Sequence, residues 1–210
     1  MNASEIRTVG TQAELREIVK EPPQPIWDKD IARIDEHART IIAHSPFVLL
    51  ATSNSDGTCD VSPRGDPAGS VLVLDDHRLA LADRPGNHRL DSLRNVLDNP
   101  HVGLLFIVPG MNETLRVNGR ATLVSDAPFF DDLVVQGKRP RLAVLVEVEE
   151  LYMHCAKAFL RSSLWKPETW PDRKSLPTLG RIAKDQLGLK GVSAKELDAG
   201  LDLDAETNRY

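Results

Sequence analysis

Short apolar runs joined by tight turns fill the middle of this chain, and they point to an antiparallel sheet. Phe47-Val48-Leu49-Leu50-Ala51-Thr52 is strand-length and rich in β-formers. Ser53 to Gly57 reads as a hairpin turn, because Asp56-Gly57 supplies the positive φ that tight turns require. Thr58 to Ser62 then returns antiparallel. Val71 to Leu74 and His77 to Leu81 flank Asp75-Asp76 as a second hairpin. His101 to Val108, Thr114 to Val124 and Arg141 to Leu151 are further strands. No alternating βαβ order is present, so the expected fold is mainly β: a small barrel with peripheral helices.

Helical periodicity is confined to the margins and to connectors. Thr11 to Lys20 carries Leu15, Ile18 and Val19 at helical spacing before Pro22, Pro23 and Pro25 break it. Asp28 to His44 reads as one helix with Ile31, Ile34, Ala38, Ile41 and Ile42 on a stripe, ended by Pro46. Asp91 to Leu97 and Ala127 to Gln136 are short helices, and Met153 to Leu164 is a third. The tail from Leu197 to Tyr210 is acidic and expected to be loosely packed. Asn118-Gly119 lies inside a continuous strand pattern, where a glycine signals a bulge or a close backbone approach.

The segment most suggestive of chemistry is Asp83-Arg84-Pro85-Gly86-Asn87-His88-Arg89, between a strand-like run and a helix-like one. Free backbone N–H groups at a helix start, with arginines beside them, make a seat for an anion such as phosphate. Cations there oppose the helix dipole unless an anion offsets them. Asn87 also suits the helix N-cap. A second cluster, Asp60 to Asp66, includes Ser62 and Arg64 on the preceding strand–loop unit and can converge with the first.

Charge and composition remove several classes of function. A net charge of -5 with no broad basic stripe argues against nucleic acid as the main partner. Basic residues gather around 84–94 and 157–166, which suits a small anionic ligand. The two cysteines, Cys59 and Cys155, lack metal-ligand spacing and read as reduced thiols. The histidines offer no metal spacing either, and neither a GxGxxG nor a P-loop motif occurs. No signal-peptide core and no membrane-length apolar run is apparent, which sets the expectation of a cytoplasmic protein.

Taken together, several blocks resemble the pyridoxamine 5'-phosphate oxidase-like, FMN-binding split barrels, and within them a subgroup assigned as FMN-dependent enzymes. The matching blocks are Ser45 to Thr52, Asp56 to Pro67, Asp83 to Asn95, Asn99 to Phe106, Glu113 to Gly119, and His154 to Ala158 with Arg161-Ser162 and Trp165 to Pro171. The resemblance implies a homodimer with two FMN sites in clefts between subunits. It implies cofactor contacts from Ser62, Arg64, Asp83, Arg84, Pro85, Asn87 and Arg89, with Ser162 and Trp165 reaching across from the partner. It also implies an oxidoreductase acting on a small molecule, with the catalytic residues left open. The alternatives are a non-catalytic flavin sensor or carrier, or a deazaflavin- or haem-binding member of the same fold. The chain departs from pyridoxamine phosphate oxidases proper in Ser62 to Asp66 and in its acidic tail, which argues against vitamin B6 oxidation. The expected organisation is a helical segment over 1–44, the barrel over 45–171 and an extension over 172–210.

Overall fold

The computed structural model describes residues 6–210. Its centre is a seven-stranded sheet in the order β2-β1-β5-β6-β7-β4-β3. The strands are β1 (Phe47–Ser53), β2 (Cys59–Gly65), β3 (Leu72–Val73), β4 (Arg78–Ala82), β5 (His101–Ile107), β6 (Thr114–Val124) and β7 (Ala143–His154). Every neighbouring pair is antiparallel. The row begins at β2 and ends at β3, and it curls around the main apolar core to form a split barrel, with a smaller cluster around Phe130 and Leu133 beside it.

Period-two patterning creates that core. Val48 and Leu50 on β1, and Val102, Leu104 and Phe106 on β5, point inward and are buried, while the residues between them are less so. Leu79, Leu81, Leu115, Val117, Val146 and Leu151 complete the inner face. One end is closed by α4 (Asp91–Asp98), which buries Leu93 and Val96. Along β6 the register shifts between Asn118 and Gly119 opposite β7, giving the irregularity anticipated there. A Cβ at Gly119 would fall far inside van der Waals distance of the Glu147 carbonyl oxygen, so only glycine lets β7 approach this closely.

Several margins differ from the sequence expectation. The single helix expected over Asp28 to His44 is cut back to α3 (Glu36–His44), while α1 (Gln12–Ile18) and a short α2 (Gln24–Trp27) lie before that range. Asp35 starts α3 by accepting the Ala38 N–H, and Ile31 bridges to Leu151 instead of joining a helix. The apolar stripe survives, since Ile34, Ala38 and Ile42 are all buried. Pro128–Leu133 is a 3₁₀ turn anchored by buried Phe130 and Leu133. The strand expected to end at Leu151 continues to His154, so the following helix shrinks to α5 (Lys157–Ser162).

The acidic tail is not loose. It forms α7 (Ala194–Thr207), opened by a Ser193–Glu196 capping box and packed on α6 (Leu179–Gln186). Gly180 makes this possible: a Cβ there would lie 2.6 Å from both the Ala194 carbonyl and an Asp198 carboxylate oxygen. No helix among the described residues is long and apolar enough to cross a membrane.

Candidate functional site

The sheet's split is where the chemistry-bearing side chains collect. Strand β2 is at an edge, so it tolerates Pro63 and runs on to Gly65, beyond the Ser62 expected from sequence. Arg64 is therefore a strand residue paired with Val48, not a loop residue. Its guanidinium crosses the split to Asp83, just past β4, at 2.9 Å, and its Nε donates to the Ser62 hydroxyl at 3.2 Å. Ser62 in turn meets the Ser92 hydroxyl of α4 at 3.0 Å. Arg84 donates to Asp66 at 2.8 Å and to the Leu133 carbonyl at 2.9 Å. Side-chain bonds thus span the gap between β2 and the segment that follows β4.

Between these walls lies a cleft of about 850 Å³. Its lining includes Ser62, Arg64, Asp83, Arg84, Pro85 and Asn87, six of the residues singled out from sequence. Arg89 is different. It is 72% exposed, is absent from the lining and pairs with Asp91 at 2.9 Å. That hydrogen bond holds its guanidinium above the usual arginine range. Asn87 does not cap α4; its carboxamide oxygen accepts the Arg89 N–H, and Leu90 occupies the N-cap position. Ser162 donates to the Phe159 carbonyl, and Trp165 donates to the Met111 carbonyl at 2.8 Å while stacking on Phe159. Neither belongs to this chain's own cleft lining.

The turn from β4 into α4 is conformationally costly. His88 and Leu90 both adopt left-handed φ values, 57° and 61°. For residues with a Cβ such backbone costs of order 1–2 kcal/mol each, and strain of this kind collects at ligand sites. In the opposite wall, just past β2, the buried Asp66 Oδ1 has no hydrogen-bond partner among the described residues.

Sequence reading missed one whole side of the cleft. Lys138, Arg139, Arg141, Arg209 and Tyr210 also line it, and the Tyr210 ring lies 5.6 Å from the Arg84 guanidinium. The pairing of β4 with β7 brings the 138–141 stretch beside Asp83, whose N–H donates to the Leu142 carbonyl at 2.8 Å. No local signal marks these residues, because they arrive through long-range pairing and through the α6–α7 hairpin.

A family model described as pyridoxamine 5'-phosphate oxidase matches residues 34–155, more than half of the 210 residues. The chain belongs to that family. The match spans from buried Ile34, through every strand of the barrel, to Cys155 just after β7. Among solved structures, this family member is similar to HupZ of Group A Streptococcus, at 16% identity and a TM-score of 0.46, covering 56% of this chain and 91% of that one. It is also similar to a candidate pyridoxamine 5'-phosphate oxidase of Lactobacillus delbrueckii, at 22% identity and a TM-score of 0.46, covering 58% and 95%. An FMN-binding protein of Syntrophomonas wolfei is similar at 12% identity and a TM-score of 0.44, covering 69% and 94%. No curated protein matches the chain.

Proposed function

We propose that this family member is an FMN-dependent oxidoreductase acting on a small molecule, with the flavin held in the split-barrel cleft at a homodimer interface. The observation that carries the reading is the cleft itself. Its volume of about 850 Å³ falls within the range of about 300–1,000 Å³ usual for small-molecule sites. It contains two arginines held in place by carboxylates. Those arginines suit a ligand that carries a phosphate.

In this reading Arg64 and Arg84 bind the phosphate, positioned beforehand by Asp83 and Asp66. Ser62, Pro85 and Asn87 orient the rest of the ligand along the wall. Arg89 contributes charge from the outer surface and not a direct contact. Ser162 and Trp165 approach from a second copy, because in their own chain they do not line the cleft. Exposed Leu160, Leu164 and Trp170 around them supply apolar surface for that contact. The flavin, when bound, supplies the hydride or electron chemistry, while the protein holds the substrate against it and excludes water. The barrel over 45–171 carries most of the site, and the extension over 172–210 completes a wall. The same Ser62-to-Asp66 strand and the acidic tail separate this reading from vitamin B6 oxidation.

An absorbance spectrum of the purified protein, taken after FMN addition and desalting, tests the reading. Retained flavin bands that are released as FMN on denaturation support it. A protein that keeps no flavin sinks it. Bleaching of bound flavin by NAD(P)H, with turnover of an acceptor, separates an enzyme from a carrier.

A further inference from the structure

Six Lys and Arg side chains line the cleft against two acidic side chains. Arg64 and Arg84 are held by those two, Asp83 and Asp66. Arg139 turns away to pair with Asp126 and Asp131, both outside the lining, and its guanidinium lies 5.0 Å from the Phe130 ring. Lys138, Arg141 and Arg209 remain, and none of them forms an ion pair among the described residues.

All three side chains are exposed, and two of them follow a tight turn. Val135 and Lys138 exchange backbone hydrogen bonds across a two-residue turn, with Gln136 and Gly137 both left-handed at φ 50° and 74°. Those values match the tight two-residue turn that commonly joins hairpin strands. The double bridge of Arg139 and the buried Pro140 fix the segment that follows. Arg209 arrives from the end of α7, where its Nε donates to the Ala205 carbonyl. An adjoining pocket of about 230 Å³ is shared by Lys138, Arg209 and Tyr210, and Glu206 is its single lining carboxylate. Two exposed cations sharing this pocket with one acidic side chain, beside Arg141 in the main cleft, leave positive potential focused in a concavity.

We propose that Lys138, Arg141 and Arg209 form a second anion subsite, which receives a carboxylate or phosphate group of the small-molecule substrate. The flavin reading assigns the seam arginines to the cofactor phosphate. The placement of this second anion beside a flavin rests on that reading, whereas the subsite itself does not. The substrate class is thus an anionic organic molecule, not a neutral one.

The test is calorimetric titration of the full chain, with and without FMN, using citrate and inorganic phosphate separately at constant ionic strength. Saturable binding of at least one anion is expected, and the two arms tell carboxylate from phosphate preference. In Lys138→Ala/Arg141→Ala the anion affinity is expected to fall by about tenfold or more while FMN affinity stays within about twofold. Absence of saturable binding of either anion, or equal binding in the double variant, would overturn the subsite. Loss of FMN affinity with anion binding intact would also overturn it, by moving the flavin phosphate to this rim. If neither protein binds FMN but anion binding persists and depends on Lys138 and Arg141, the subsite stands and the flavin reading falls.

Discussion

Removing the Arg64 guanidinium is the most direct challenge to the seam as a phosphate seat. In the structure its Nη1 donates to Asp83 at 2.9 Å and its Nε donates to Ser62, and the side chain is 22% exposed. The group is therefore already oriented, and a bound phosphate gains its contacts with little ordering cost. A hydrogen bond to a charged group contributes about 1.5–3 kcal/mol. At about 1.4 kcal/mol per decade, Arg64→Ala should weaken FMN by about 10- to 100-fold. The substitution also leaves Asp83 without its partner beside the phosphate, so Arg64→Ala/Asp83→Asn should recover part of the loss. Arg64→Lys keeps the charge without the fork and should fall between wild type and Arg64→Ala. Flavin fluorescence titration reads all four proteins, and thermal melting checks their folding. The two side chains are only 22% and 24% exposed, so leaving Asp83 without its partner should cost about 1–3 kcal/mol while the melt stays cooperative. FMN binding by Arg64→Ala within about twofold of wild type, with an intact melt, would refute the phosphate assignment.

Two other perturbations probe the scaffold. Gly119→Ala places a methyl against the Glu147 backbone between central strands, so urea denaturation should show a loss of about 3 kcal/mol or more; a change under about 0.5 kcal/mol would mean that the strands separate freely. His154 is held below the usual histidine range by burial, then by Arg116 and Lys29, so it stays neutral in the fold while the unfolded chain takes up the proton. Its contribution to stability is therefore full above its unfolded pKa of about 6.5 and declines as pH falls below that value. His154→Asn should flatten the stability–pH curve in that window, and an unchanged slope would show that another group is responsible.

The barrel was legible because its signals are local. Asp56-Gly57 marks a turn whose Gly57 has φ 83°, and inward alternation on β1 and β5 appears directly in the residue order. The overlong helix shows where periodicity alone misleads. Ile31 and Ile34 sit at helical spacing, yet Asp35 caps the helix after them and Ile31 is taken by Leu151. The Ser193–Glu196 box was in plain view and marks a stable helix in a tail whose acidity suggested otherwise. For the site, Ser62, Arg64, Asp83 and Arg84 could be grouped because they lie on consecutive units of the chain. Lys138, Arg141 and Arg209 could not, since β-pairing across the barrel and a helical hairpin bring them to the cleft.

Pro63 has a consequence for the fate of the exposed edge. A free strand edge is a template on which another chain can add, the first step toward aggregation, and β2 carries the strongly exposed Val61. Proline lacks the backbone donor that such an added strand would need, and Pro67 follows just beyond Gly65. The same residue that discourages a foreign strand also discourages the barrel from zipping its own seam with backbone hydrogen bonds. An edge protected against polymerisation is thereby an opening that only side chains, or a ligand, can bridge.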